Sequence, residues 1–193
     1  PALIVAQALS LAKAGSGGPG SPRAMSGDAD RPDALLAGRR VLVTAGPTRE
    51  ELDPVRYLSN PSTGRMGFAV ARAARELGGE VTLVSGPTQL QPPEGVRVIH
   101  VTSAEQMRES VLTNAVGADL LVMTAAVSDF RPVRREPKKV RKDAAALTLE
   151  MERTPDILAE IGASKGKMFL VGFAAETGAV EAGAAEKLSS KGL

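Results

Sequence analysis

Apolar and polar positions along this chain switch repeatedly between a strand period and a helix period. The run Arg40-Val41-Leu42-Val43-Thr44-Ala45 is short, continuous and rich in β-branched residues, the pattern of a strand buried on both faces. Comparable runs predict strands at 81–85, 97–101, 119–125 and 168–173, and segments of helical length predict helices at 65–77, 103–116, 155–163 and 178–190. Alternating strands and helices imply an α/β fold with a mainly parallel sheet flanked by helices. The alternation breaks at 131–152. There, two polar-alternating runs, around 138–142 and 147–151, are split by Asp143 and three alanines, which predicts an antiparallel ribbon protruding at about 134–151.

Residues 1–14 pattern as a short amphipathic helix. Residues 15–37 are rich in Gly, Pro, Ser and Asp and read as a flexible linker. The chain opens on Pro1, and no strand closes the pattern after the last predicted helix. The expectation is a piece of a longer protein: 1–14 the tail of an upstream domain, 15–37 a linker, and 38–193 a domain cut short at its C-terminus.

Composition narrows the chemistry. Aromatic residues make up only 3% of the chain, so the core must be built from Ala, Val, Leu and Ile. With no Cys, thiol catalysis, disulfides and cysteine metal sites are excluded, and the single His100 argues against a histidine-based zinc site. The net charge of +2 provides no global field for nucleic acid. No run is long and apolar enough to span a membrane and no signal-peptide pattern is evident, so a cytoplasmic protein is the default expectation.

The longest departure from the regular pattern follows the first strand. Between Ala45 and the helix at 65 lies a loop carrying Thr48, Arg49, Asp53, Arg56, Tyr57, Asn60, Ser62, Thr63 and Arg65. Strand-to-helix loops of this length are uncommon unless functional. In an α/β sheet this one leaves the carboxyl end of a strand, where ligands bind. It matches neither G-x-G-x-x-G nor a Walker A loop, since Gly46, Gly64 and Gly67 are too widely spaced and no Lys follows a Gly. Ser62-Thr63-Gly64-Arg65 nevertheless sets small residues at a helix start, which favours anions. A plain cap and turn would explain those four residues alone; Arg56, Asn60 and Arg65 together favour a functional loop.

Further candidates sit at other strand ends. Met123-Thr124-Ala125 closes a strand with small residues that let a flat ring approach the backbone. Asp129 beyond it suits either a nucleoside hydroxyl or an ordinary turn. Thr154-Pro155-Asp156-Ile157-Leu158 reads as a helix start with Thr154 as N-cap and Pro155 as first helical residue. Phe173 either stacks on a base or packs in the core. Lys187 and Lys191 share a helix face and suit phosphate or plain solvent. The basic segment holds Arg131, Arg134, Arg135, Lys138, Lys139, Arg141 and Lys142 against one acid, Glu136. It reads as a solvated edge, a nucleic-acid patch or a segment bringing one Lys onto a polyphosphate; the scarcity of aromatics disfavours nucleic acid.

The ordered set GPTREELDPVRYLSNPSTGRMGF, TAAVSDFRP, KKVRK, TPDIL, VGFAAET and KLSSKGL resembles the phosphopantothenate–cysteine ligase family, in many bacteria the C-terminal half of a bifunctional coenzyme A biosynthesis flavoprotein. The resemblance covers roughly residues 38–193. It implies a Rossmann-like fold, a homodimer through the 134–151 ribbon, and ligation of 4′-phosphopantothenate to L-cysteine through an acyl-cytidylate, with CTP and Mg²⁺. FMN would belong only to an upstream domain. It implies catalytic roles for Asn60, which donates to the acyl carbonyl, for Arg56, which orients the substrate, and for Lys139 on the nucleotide's phosphates. Gly46, Met123, Thr124, Ala125, Asp129, Pro155, Asp156, Ile157, Leu158, Phe173, Lys187 and Lys191 would form the nucleotide site. Ser62, Thr63, Gly64 and Arg65 would bind phosphate or substrate. Metal ligands are not indicated. Arg65 replaces the family's usual Lys, and Pro61 stiffens the residue after Asn60. The competing readings are a non-catalytic nucleotide-binding module and a Rossmann-type oxidoreductase; the latter lacks the glycine fingerprint.

Overall fold

The computed structural model describes residues 34–141 and 147–173. In chain order the elements are β1 (Arg40–Ala45), β2 (Arg49–Glu51), β3 (Tyr57–Ser59), α1 (Arg65–Glu76), β4 (Glu80–Ser85), β5 (Arg97–His100), α2 (Ala104–Ala115), β6 (Leu120–Met123), β7 (Phe130–Pro132), β8 (Met151–Arg153), α3 (Ile157–Ser164) and β9 (Phe169–Gly172). The five sequence-predicted strands and three of the four helices are present, and no end moves by more than two residues. The helix expected at 178–190, with Lys187 and Lys191, lies outside the described residues.

One parallel sheet runs in the order β5-β4-β1-β6-β9. The chain winds outward from β1 in one direction through β4 and β5, then returns to β6 on the other side. The order therefore reverses between β1 and β6, and the crevice above their carboxyl ends is the topological switch point where α/β sheets bind ligands.

The twofold period of β1 builds both layers of the core. Val41, Val43 and Ala45 face α1 with Phe68, Val70, Ala71 and Ala74. Leu42 faces the other way, into Met107 and Val111 of α2 and Ile157 and Ile161 of α3. Small alanines along α1 let it close on the sheet, with Phe68 as a buried aromatic of this layer, an addition to the Ala, Val, Leu and Ile core expected from composition. Gly67 marks a close approach of α1 to the sheet: a Cβ there would crowd Ala45 Cβ and lie 2.6 Å from Thr124 Oγ1 and 2.8 Å from the Thr44 carbonyl oxygen. Leu36, within the span read as linker, is fully buried and its N–H donates to the Leu77 carbonyl at 2.8 Å, so packing begins ahead of Gly38.

Three features differ from the sequence reading. The long loop contains a hairpin, β2–β3, pairing Arg49 with Ser59 and Glu51 with Tyr57. The ribbon exists, but its paired strands are β7 and β8, at 130–132 and 151–153, not the runs at 138–142 and 147–151. One further bond, Val133 N–H to the Glu150 carbonyl at 3.0 Å, extends the pairing. Residues 134–141 form no strand; the Glu136 N–H and both backbone groups of Val140 bond to the 52–56 turn instead. Third, the N-cap of α3 is Asp156, whose carboxylate accepts the Ala159 N–H at 3.0 Å, and not Thr154. The Thr154 hydroxyl is committed elsewhere, donating to the Ser128 carbonyl at 2.5 Å. Asp156→Ala is accordingly expected to lower stability by about 1 kcal/mol, whereas a Thr154 cap would leave that variant neutral; thermal unfolding followed by circular dichroism distinguishes the two.

Candidate active site

The switch-point crevice is walled by close backbone approaches. Gly46 follows β1 with φ 75°, a conformation that favours glycine, and its carbonyl accepts the Ala126 N–H at 2.9 Å. Gly64 has φ 76° and is the N-cap of α1; a Cβ on it would come within 3.3 Å of the Gly46 backbone. No side chain caps the first turn of α1, so its N–H groups point outward at the positive end of the helix. Ser62 Oγ accepts the Gly64 N–H at 3.3 Å, Thr63 lends its carbonyl to Thr88, and Arg65 is exposed. Ser62, Thr63, Gly64 and Arg65 thus lie together at the uncapped start of α1.

Across the crevice, Thr44 fixes the end of β6. Its carbonyl accepts the Thr124 hydroxyl at 2.6 Å and its own hydroxyl accepts the Ala125 N–H at 3.1 Å. The Phe173 N–H donates to the Met123 carbonyl at 3.2 Å, and the Phe173 ring is 43% exposed at the end of β9, not packed in the core. Asp129 is exposed, while its backbone carbonyl accepts the Thr154 N–H at 3.0 Å. That bond brings Pro155 and the start of α3 toward the β6 end. Ile157 is buried under the helix, Leu158 packs against the same core, and Asp156 serves as the cap. A bidentate Arg108–Glu160 pair, with both N–O distances 2.6 Å, holds α3 to α2.

Asn60 lies over this wall. Its side-chain N–H groups reach the carbonyls of Ala126 at 3.3 Å and Val127 at 3.1 Å. Both partners are acceptors, which fixes the amide's orientation. Thr48, fully buried, ties the same wall down: its N–H donates to the Ala126 carbonyl, its hydroxyl accepts the Ser128 N–H at 3.0 Å, and its carbonyl accepts the Ser59 hydroxyl at 2.7 Å.

Arg56 and Lys139 both line a second cleft of about 480 Å³, with Asp53, Lys138, Glu136 and Leu149. Asn60 and the strand ends do not line it. The long loop therefore serves two adjoining spaces, with Asn60 at the first and Arg56 at the second. Asp53 organises the second. Burial pushes its carboxyl up, but N–H donation from Val55, Val140 and Arg56, together with the Arg56 guanidinium, outweighs that and holds it below the usual carboxylate range. Asp53, Thr48 and Thr44 received no role from the sequence; only the polar density of the loop signalled the first two. Among the described residues, no group of three or more His, Asp or Glu side chains gathers as a metal site. No helix among them is long and apolar enough to cross a membrane.

The model of the DNA/pantothenate metabolism flavoprotein C-terminal domain family matches residues 36–193. The chain belongs to this family. The coenzyme A biosynthesis bifunctional protein CoaBC of Bacillus subtilis (strain 168) is 48% identical to this chain over 166 residues, which are 86% of this chain and 41% of that protein. The chain thus spans about two fifths of the length of such curated relatives. Among solved structures, the C-terminal domain of a CoaBC protein is similar with TM-score 0.73 and 47% identity, covering 81% of this chain and 74% of that one. A Cab2 mutant in complex with phosphopantothenate-cysteine has TM-score 0.67 at 19% identity, over 78% of this chain and 69% of that one, and shares the fold.

Proposed function

We propose that this domain is a phosphopantothenate–cysteine ligase of coenzyme A biosynthesis, using CTP and passing through an acyl-cytidylate. The observation that carries the reading is the division of one loop between two spaces: Gly46 and the uncapped start of α1 border the switch-point crevice, while Arg56 turns into the cleft that holds Lys139. A reaction joining a nucleotide to a second anionic substrate needs both. The family and the CoaBC relative support the coarser part of this reading, a place in pantothenate metabolism and coenzyme A biosynthesis.

In the first step the phosphopantothenate carboxylate attacks the α-phosphorus of CTP and displaces pyrophosphate. In the second, the cysteine amine attacks the acyl carbon and displaces CMP. Neither step needs a protein nucleophile, consistent with a chain without Cys. Positioning and neutralisation of developing charge do the work. The α1 N–H groups and the Ser62–Arg65 rim suit phosphate oxygens. Met123, Thr124 and Ala125 form the floor for the nucleoside, with Asp129 and Phe173 at its margin. Asn60 surrenders one of its two carbonyl partners to donate to the acyl oxygen. Mg²⁺ would be held by the nucleotide's phosphates and water rather than by a protein cage, and would supply charge neutralisation there.

A homodimer is part of the proposal. Tyr57, Leu58, Phe130, Val133 and Leu147 are 39–54% exposed on β3, β7 and the ribbon, more apolar surface than an isolated ribbon calls for.

The intact protein supplied with phosphopantothenate, L-cysteine and CTP is expected to release pyrophosphate in step with phosphopantothenoylcysteine. CTP binding by calorimetry with no release would favour the non-catalytic module instead.

A further inference from the structure

Asp53 sits inside the long loop with its side chain completely buried, while the surrounding cleft is rich in cations that suit anionic ligands. Its first oxygen closes a turn, accepting the Val55 and Arg56 N–H groups, both at 2.8 Å. A turn residue needs nothing more. The second oxygen does something a turn does not require. It accepts the Val140 N–H at 3.2 Å, from a segment 87 residues away, and lies 3.5 Å from Arg56 Nε. Arg56 Nη2 in turn donates to the Val140 carbonyl at 2.6 Å. The carboxylate and the guanidinium thus grip the two polar backbone groups of one residue, and that residue directly follows Lys139. Two flanking contacts reinforce the attachment: the Glu136 N–H donates to the Leu52 carbonyl at 2.8 Å, and Arg135 pairs with Glu51 at 2.7 Å.

We infer that Asp53 is a positioning residue that clamps the Val140 backbone and the Arg56 side chain together, and so sets where Lys139 stands relative to Arg56 across the cleft. An accessible carboxylate here would repel a polyanion. With both oxygens turned inward and its exposure zero, Asp53 can act on geometry without presenting its charge to the ligand. The kinetic part of this inference rests on the ligase reading; the geometric part does not.

Asp53→Asn separates the two oxygens. The retained carbonyl can still close the 53–56 turn, but the new amide faces the Val140 N–H and the Arg56 guanidinium, donor against donor. In the intact protein, hydrogen exchange at the Val140 amide is expected to accelerate at least tenfold, with the amides of β1 and β4 unchanged. kcat/KM for CTP is expected to fall at least tenfold, and the same substitution in a Lys139→Ala background to change it less than threefold, the non-additivity of residues acting as one unit. A purely structural turn residue would show additive effects, and an unaltered Val140 exchange rate would overturn the clamp outright. If wild-type protein releases no pyrophosphate with CTP, the ligase reading fails while the exchange experiment still decides the clamp. Should Asp53→Asn not fold, Arg56→Gln, which leaves the turn's acceptors in place, carries the same exchange test.

Discussion

Asn60→Asp is expected to stop the second half-reaction while sparing the first. The amide nitrogen of Asn60 faces two carbonyl oxygens, Ala126 at 3.3 Å and Val127 at 3.1 Å. A carboxylate in its place offers no N–H and sets negative charge against those two acceptors. It would also oppose the charge that grows on the acyl oxygen as the cysteine amine adds. Formation of the acyl-cytidylate develops its charge at the α-phosphate, where the α1 N-terminus and the Ser62–Arg65 rim act, so pyrophosphate release should persist for one turnover. Removing one donor to a developing oxyanion costs roughly 10²–10³ in rate, and added repulsion makes the Asp variant worse than that. The measurement is single-turnover quench: pyrophosphate and acyl-cytidylate counted without cysteine, then phosphopantothenoylcysteine after its addition. Asn60→Ala is the companion, losing the donor without adding charge, and should transfer faster than Asn60→Asp. Equal transfer rates in wild type and Asn60→Asp would remove Asn60 from the second step.

The parallel sheet was legible because its signals are local. Val41, Leu42 and Val43 form a continuous apolar run whose alternate residues feed the two core layers, and the loop after Gly46 betrayed itself by length. What escaped was set by partners distant in sequence. Glu50 gives no strand signal, yet it is 4% exposed because its carboxylate accepts the Ala104 N–H at 2.8 Å, capping α2 across the fold. Thr154 has the sequence signature of an N-cap, but the Ser128 carbonyl competes for its hydroxyl and Asp156 takes the role. The basic segment alternates like a strand, yet its backbone groups are drawn off by Leu52, Asp53 and Arg56, so pairing survives only at the ribbon's base. In each case tertiary partners overrode a correct local preference. The proposed site residues share this limit: their neighbourhoods follow from the strand ends, while the clamp at Asp53 depends on a residue 87 positions on.

Gly86→Ala is expected to be the most damaging small substitution in the described domain. Gly86 follows β4, and its N–H donates to the Ala45 carbonyl at 2.9 Å. A Cβ there would overlap the carbonyl oxygen of Pro47 and lie 2.9 Å from its carbonyl carbon. Both are backbone atoms, so no side-chain rotation relieves the clash. Pro47 cannot retreat either, since it bridges to Ala126 and is flanked by Gly46 and the fully buried Thr48. Gly67→Ala is crowded too, but it gains roughly 0.8–1 kcal/mol of helix propensity, an offset absent at Gly86. Over-packing a tight site costs about 1–3 kcal/mol, occasionally more; with backbone on both sides the upper end applies. A loss of about 3 kcal/mol lowers Tm by roughly 6–12 °C in a domain of this size. Gly38→Ala is the control: its φ of 71° carries a conformational penalty, but nothing lies within 4 Å of an added Cβ. If thermal unfolding gave Gly86→Ala and Gly38→Ala the same shift, the close approach of the β4 end to Pro47 would not be what holds the crevice wall. If Gly86→Ala alone falls, the residual folded protein should also bind CTP more weakly, because the strand ends that wall the crevice are displaced with Pro47.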